Sequence, residues 1–196
     1  MAKRKIKFSF NFRPPPEREA YDRVLIVCEG KTEVNYFKKL IECLKLNTIN
    51  IEILDIKQTT PDSLFNRAKK LYSESKIQGN PFDRVYCVFD KDGHTKYQQT
   101  KNHIDQATPK GVYYYAFSEP CFEFWLLLHF IKTDRPFINF DELKKCREFK
   151  QYLPNYNKSE NIFLEDKVSI ACQNAKDNPH TNVDELVEYL QKIKKQ

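Results

Sequence analysis

The chain has 196 residues, enough for one well-packed domain, and 40% of them are hydrophobic. Only 4 residues are glycine, which argues against a disordered linker protein and against a glycine-rich phosphate loop. The formal net charge of +6 favours a polyanionic partner, although net charge bears on association and solubility rather than on a particular site.

Cysteine usage and hydropathy predict a cytoplasmic protein without a membrane partner. The chain has 6 cysteines but no C-x-x-C pair, which argues against a zinc ribbon and favours reduced thiols. The lysine-rich start lacks the apolar core of a signal peptide. The longest apolar stretch, residues 124–131, is far too short to span a bilayer.

Residues 1–20 are rich in lysine and arginine and include three consecutive prolines. We interpret them as a basic N-terminal arm, which is either solvated or in contact with a polyanion. An added edge strand over residues 5–12 is the alternative.

After this arm, apolar runs alternate with segments of helical spacing. The apolar runs predict buried strands at residues 24–28, 49–56, 85–89 and 112–117. One helix is expected to begin near Thr32, one at Pro61 behind the N-cap Thr60, and one to cover residues 97–107. The alternation is typical of βαβ units, so we expect an α/β core with a largely parallel sheet over residues 21–130.

The last third of the chain predicts helices only. Residues 122–130 are apolar nearly all round, as in a buried helix. Asn139 resembles an N-cap with an acid three residues later, which predicts one helix to about Phe149. Further helices are predicted at residues 164–175 and 183–193. We therefore expect residues 131–196 to form a helical C-terminal part packed against the core.

Carboxylates directly follow two of the predicted strands. Glu29 comes after the first strand, beside Gly30, and Asp90 and Asp92 come after the third. In an open α/β sheet, ligands bind at the carboxyl ends of the strands, and residues two apart on an extended chain point the same way. Acids gathered at that edge repel one another unless a hard cation neutralises them. We therefore predict a Mg²⁺ or Mn²⁺ site that includes Glu29, Asp90 and Asp92.

A third acidic cluster, Glu119 and Glu123, follows the fourth strand. Glu123 lies in an otherwise apolar helix start, where an unpaired charge is costly, so it needs a metal, a basic partner or helix-end amides. Glu33 either faces the same cleft as Glu29 or is a helix-start acid favoured by the helix dipole. Lys158 either neutralises charge in a phosphodiester transition state or is solvated.

Three further residues have competing interpretations. Lys31 either meets phosphate or is solvated. We interpret His94, which follows the Asp-x-Asp stretch, as a solvent-facing loop residue rather than a ligand. His129 is interpreted as a hydrogen-bonded core histidine.

Several stretches of the chain resemble a known family. Residues 29–33 followed by residues 89–92 are similar to the Toprim signature, a Glu after the first strand and Asp-x-Asp after a later one. Residues 119–130 resemble the Asn-Pro-Cys-Phe-Glu-x-Trp-Leu-Leu-Leu-His-Phe segment of RloB-like (AbiLii-type) proteins. Residues 153–158 resemble the family's Tyr-x-Lys stretch, and residues 178–186 its Asn-Pro-x-Thr-x-Val-x-x-Leu ending.

The resemblance implies a Toprim-like fold and a Mg²⁺-dependent nuclease in bacterial or archaeal anti-phage defence of the abortive-infection type. It implies Glu29, Asp90 and Asp92 as metal-binding acids, with Glu123 as an additional site residue. It also implies that Lys158 is a catalytic or phosphate-binding lysine. Such proteins are often encoded beside an ABC-type or AAA-type ATPase or a restriction system.

Metal-assisted phosphodiester cleavage is the first hypothesis, with Glu29 or Glu33 as the general base and basic residues holding the nucleic-acid backbone. The substrate is DNA or RNA, including tRNA, and control by a homo-oligomer or an ATPase partner is expected for a toxic activity. One departure from the family, Glu119 in place of the usual Asn before Pro, adds an acid near the site.

Two other classes of function fit parts of the pattern. The main alternative is a non-catalytic nucleic-acid-binding or effector module of a defence complex, whose acids serve folding or partner docking. A primase or topoisomerase fragment fits the fold signature but lacks a visible strand-passage or primer-synthesis apparatus.

Overall fold

The computed structural model describes residues 22–46, 51–55, 60–91, 93–158 and 163–193. The predicted basic arm and the edge strand proposed within it lie outside the described residues, and so does Asp92.

One four-stranded parallel sheet forms the centre of the molecule, in the order β2-β1-β3-β4. The strands are β1 (Val24–Cys28), β2 (Ile51–Asp55), β3 (Arg84–Asp90) and β4 (Tyr113–Ser118). The two inner strands, β1 and β3, are almost completely buried, as expected for a parallel sheet that is covered on both faces. Their uninterrupted apolar sequences are typical of such buried strands, and the strands predicted there are confirmed.

Helices cover both faces of this sheet. Two helices, α2 (Pro61–Ile77) and α3 (Tyr97–Gln106), pack on the face to which Leu25 and Val27 of β1 point. The opposite face is covered by α1 (Lys31–Leu44), α4 (Glu123–Leu128) and α8 (Val183–Ile193), and α7 (Val168–Ala175) packs against α4 and α8. The predicted α/β class, the parallel sheet flanked by helices and the helical C-terminal part are confirmed, and the architecture is consistent with a Toprim-like fold.

The start of α2 follows the predicted capping chemistry. Thr60 has extended backbone geometry, and its Oγ1 accepts a hydrogen bond from the Ser63 amide at 3.2 Å. Pro61 occupies the first helical position, where its missing N–H costs nothing. The sequence signal and the structure therefore agree at this helix start.

The single helix predicted from Asn139 to about Phe149 is wrong. The structure has two short helices instead, α5 (Phe140–Lys145) and α6 (Arg147–Tyr152), separated by Cys146 with extended backbone. The Cys146 thiol accepts a hydrogen bond from the Phe149 amide at 3.4 Å. Leu143 and Phe149 would lie about 120° apart around one continuous helix. The break lets both side chains become fully buried.

Two other helix boundaries differ from the prediction. The segment expected at residues 164–175 begins with a 3₁₀ turn, Glu165–Lys167, before α7. The apolar stretch at residues 122–130 contributes a shorter helix, Glu123–Leu128. Short 3₁₀ turns commonly satisfy the free backbone groups at helix ends, which apolar patterning alone does not reveal.

The C-terminal part is tied to the edge strand β4 through Thr181 and Asn182. Thr181 forms an antiparallel bridge with Ser118. Asn182 Oδ1 accepts a hydrogen bond from the Phe117 amide at 2.8 Å, and its Nδ2 donates to the Tyr115 carbonyl at 3.2 Å. These contacts occupy backbone groups that an edge strand would otherwise leave unpaired.

Two further features concern the state of the cysteines and the length of the apolar helices. All six cysteines are free thiols, and Cys28 and Cys87 are fully buried within strands. Within the part of the chain that the structure describes, no helix is both long and apolar enough to cross a membrane.

Candidate functional site

The two strand-end acids Glu29 and Asp90 lie side by side at the carboxyl edge of the sheet. Strands β1 and β3 are neighbours, and the Glu29 amide donates to the Val88 carbonyl at 3.1 Å. The Glu29 Oε2 atom accepts a hydrogen bond from the Asp90 amide at 3.4 Å. Both residues line a cleft of about 450 Å³, together with Glu33, Glu123 and Lys158. We call this the acidic cleft.

Glu33 is buried in the acidic cleft although it lies in the first turn of α1. Its side chain is 4% exposed and folds back over Gly30, where an added Cβ would lie 2.7 Å from Glu33 Oε2. Burial, followed by the charges of Glu123 and Glu29, raises the pKa of Glu33 to about 7. The structure therefore places it in the cleft, and its position also fits the helix-dipole interpretation.

Glu123 is the first residue of α4 and is 1% exposed. Its Oε1 accepts a hydrogen bond from the Tyr156 hydroxyl at 2.9 Å and lies 3.4 Å from Lys158 Nζ. Burial and the neighbouring Glu123 keep the pKa of Tyr156 well above its usual range, so the phenol remains a donor. Of the three predicted ways to satisfy Glu123, the structure shows a basic partner assisted by a phenol.

Lys158 brings a positive charge to the acidic cleft. Partial burial lowers its pKa, but the neighbouring Glu123 and Asp90 carboxylates oppose this and the pKa is raised overall. The ammonium also lies 4.5 Å above the centre of the Phe140 ring, a favourable cation–π distance. The lysine is therefore charged, and about half of its side chain is open to solvent.

Two buried carboxylate oxygens in the acidic cleft have no hydrogen-bond partner among the described residues, Asp90 Oδ1 and Glu123 Oε2. The pKa of Asp90 is raised well above its ordinary value by burial and by the charges of Glu33, Glu123 and Glu29. Buried, mutually repelling carboxylates are costly, and a hard divalent cation would relieve that cost. The donor set and the two unpaired oxygens fit such an ion.

The side chains do not form a ready-made cage of protein ligands. No group of three His, Cys, Asp or Glu residues in the described ranges is arranged to hold one metal ion, and Asp92 is outside those ranges. Mg²⁺ usually keeps several waters and binds through one or two carboxylates rather than through a complete protein cage. Glu29 and Asp90, which both line the acidic cleft, can supply that smaller set.

A comparison with protein-family models identifies the chain. The model described as RloB-like protein matches residues 24–190, which is most of the sequence. The chain belongs to the RloB-like family. Among curated proteins and among solved structures, nothing matches it.

Glu119, the acid that departs from the family pattern, does not line the acidic cleft of this RloB-like chain. It pairs with the Lys91 ammonium, and its Oε2 lies 3.6 Å from His180 Nδ1. The extra carboxylate is therefore held by basic neighbours outside the cleft.

His94 and His129 occupy different environments. His94 Nε2 lies 3.5 Å from Glu29 Oε1, so it contacts a cleft acid instead of facing only solvent. His129 is 1% exposed and hydrogen-bonds to the Tyr36 hydroxyl and the Trp125 carbonyl, which confirms the core interpretation.

Tyr156 was missed as a site residue in the sequence-based prediction. It lies two residues before Lys158, and the two side chains meet the same Glu123 oxygen. The sequence shows the Tyr-x-Lys spacing. It does not show that Tyr156 binds Glu123, because the two residues are 33 positions apart.

Proposed function

We propose that this RloB-like chain is a divalent-metal-dependent nuclease that hydrolyses nucleic-acid phosphodiester bonds. The observation that carries the proposal is the acidic cleft, where buried carboxylate oxygens of Asp90 and Glu123 lack hydrogen-bond partners among the described residues. The formal charge of +6 favours binding of a nucleic acid, and a cation bound in the acidic cleft would neutralise the acids beside the phosphate.

In this proposal, Glu29 and Asp90 hold Mg²⁺ or Mn²⁺, with Asp92 as the third acid implied by the family resemblance and Glu123 as an additional site residue. When bound, the ion would supply Lewis acidity, lowering the pKa of a water and neutralising charge on the phosphate. The adjacency of Glu29 and Asp90 supports the assignment, because the Glu29 carboxylate already lies against the Asp90 backbone and both residues line the acidic cleft.

Three further residues have roles that follow from their own contacts. Glu33, with a pKa of about 7, is suited to accept a proton from water near neutral pH. Lys158 is positioned to stabilise negative charge on the attacked phosphate. Tyr156 fixes the orientation of Glu123 through its hydroxyl.

The cellular role that we propose comes from the family resemblance. We propose that the nuclease acts in the cytoplasm in anti-phage defence, under the control of an ABC-type or AAA-type ATPase, another defence subunit or its own oligomer. Uncontrolled cleavage would be toxic, which is the reason to expect such control.

The test is incubation of the purified protein with single- and double-stranded DNA, tRNA and other RNA, with Mg²⁺ or Mn²⁺ and with EDTA. We expect metal-dependent cleavage that drops at least about a hundredfold in Glu29→Gln and Asp90→Asn, as is usual when a group that acts on the transition state is removed. Asp105→Asn, an exposed acid on α3, is the matched control and should cleave normally. Undiminished cleavage by Asp90→Asn would refute the assignment.

One observation favours a non-catalytic nucleic-acid-binding or effector module instead, namely that Glu123 is held by Tyr156 and Lys158, as an acid that serves folding would be. Calorimetry separates the two functions. A nuclease should show a Mg²⁺-binding signal that is lost in the Asp90→Ala/Asp92→Ala variant, whereas a non-catalytic module should show none and should bind nucleic acid equally in EDTA.

A further inference from the structure

A second cleft adjoins the acidic cleft and has the opposite charge. It has a volume of about 560 Å³ and lies between α5, α6 and the turn that follows α6. Its rim carries Lys144, Lys145 and Lys150, and its floor is formed by Phe149, Leu153 and Tyr156. We call it the lysine cleft.

The three lysines are exposed, and none forms an ion pair with a carboxylate in the described part of the chain. One acid, Asp141, also lines the cleft, so three positive charges face one negative charge. Unpaired lysines around a concave surface attract a polyanion, and phosphate groups are the ligands that best match this arrangement.

The lysine cleft and the acidic cleft share a wall. Tyr156 lines the lysine cleft, while its hydroxyl donates to Glu123 in the acidic cleft. The Phe140 ring lies between the two, with Lys158 Nζ at 4.5 Å and Lys144 Nζ at 6.0 Å from its centre. A chain of phosphates that passes from one cleft to the other would therefore meet lysine charge continuously.

A buried apolar floor supports the lysine rim. Phe149, Leu153 and Tyr156 are buried beneath the rim, and the rings of Phe149 and Tyr156 meet edge to face at 5.6 Å. These side chains are almost inaccessible, so they support the lysines from below while the phosphates contact the rim.

We propose that the lysine cleft binds the nucleic-acid backbone next to the phosphate that is cleaved in the acidic cleft. The inference rests on the proposed nuclease function, for which it names the substrate-binding surface. Binding and cleavage are separate measurements, so each part can fail without the other.

The experiment measures binding of fluorescein-labelled single-stranded DNA and RNA oligonucleotides by anisotropy, in EDTA, over a series of salt concentrations. The test variant is Lys144→Gln/Lys145→Gln/Lys150→Gln. Since each phosphate contact contributes about 0.7 to the salt slope for single strands, loss of three contacts should reduce the slope by about 2. We expect the Kd at moderate salt to rise at least about tenfold.

The matched control is Lys69→Gln/Lys70→Gln/Lys76→Gln, which removes the same charge from α2 on the other face of the sheet. It should leave the Kd and the slope within about a factor of two of wild type. Arginine at positions 144, 145 and 150 should restore binding. Circular dichroism verifies that each variant is folded.

Equal weakening by the control triple variant, an unchanged slope in the test variant, or no binding by the wild type would overturn the inference. So would displacement of the oligonucleotide by polyglutamate at equal charge concentration, because that result would indicate an acidic protein partner. Cleavage with Mg²⁺ is followed in parallel. Lysine-dependent binding without any cleavage would uphold this inference while the nuclease proposal fails.

Discussion

Protonation of His129 should strongly destabilise the fold, because its ring is enclosed by the core. Its Nδ1 lies 3.0 Å from the Trp125 carbonyl and its Nε2 lies 3.1 Å from the Tyr36 hydroxyl. A carbonyl only accepts, so Nδ1 carries the proton and Nε2 accepts from Tyr36. A second proton, on Nε2, would reverse that bond so that the Tyr36 hydroxyl accepts, and would leave a charge in the core.

The magnitude follows from the pKa. Burial lowers the pKa of His129 from 6.5 to about 4, although hydrogen bonds to the backbone of Trp125 and Leu126 act in the opposite direction. Between these two values the unfolded chain binds more protons than the folded one. The stability contributed by the neutral ring is therefore complete above pH 6.5 and is lost as the pH falls towards 4. Integrated from pH 7.5 to 4.5, the loss is about 2.5 kcal/mol.

The assay is urea unfolding of wild type and His129→Gln at pH 7.5, 6.5, 5.5 and 4.5. At pH 7.5 the variant should be less stable by about 1–3 kcal/mol, because buried hydrogen-bonding groups of Tyr36 and Trp125 lose their partner. That difference should shrink by about 2.5 kcal/mol at pH 4.5, since the variant has no imidazole to protonate.

His103→Gln, at a half-exposed position on α3, is the control for loss of an imidazole. If the stability difference between wild type and His129→Gln changed by less than about 0.5 kcal/mol across this range, the assignment of a buried neutral imidazole would be refuted.

Three other predictions concern the acidic cleft. Because the pKa of Glu33 is about 7 rather than 4.5, its contribution to stability is present below pH 4.5 and is lost as the pH rises through 7. In EDTA at pH 8, Glu33→Gln should therefore unfold at a higher urea concentration than wild type, with a free energy of unfolding that is larger by up to about 3 kcal/mol. A variant that is less stable than wild type would contradict this. Tyr156→Phe removes the hydroxyl from buried Glu123 and should cost about 1–3 kcal/mol in urea unfolding, whereas Tyr152→Phe, at a half-buried position, should cost less than about 1 kcal/mol. Gly30→Ala should fold normally, because the backbone at Gly30 is extended, but its methyl group must displace the Glu33 carboxylate. Cleavage should then fall while the melting temperature stays within a few degrees, and unchanged cleavage would show that the position of Glu33 does not matter.

The sheet and its functional edge could be predicted from local sequence because the determining forces are local. Uninterrupted apolar runs such as Val24–Cys28 are typical of strands buried on both faces, and the helices between them require parallel pairing. Acids that directly follow two such strands must then meet at one edge, which is where Glu29 and Asp90 lie in contact. Asp92, the third predicted acid, stays a prediction.

Tertiary structure alone decided how the acidic cleft is completed. Glu123 comes from a helix start and Lys158 from a turn 35 positions further along the sequence, and no periodicity links them. Their meeting depends on how α4, α5 and α6 pack, and that packing uses a break at Cys146 which allows Leu143 and Phe149 both to be buried. Short-range patterns report which residues are apolar or charged, whereas the pairing of charges across the fold depends on packing between distant segments, so only the folded chain reveals it.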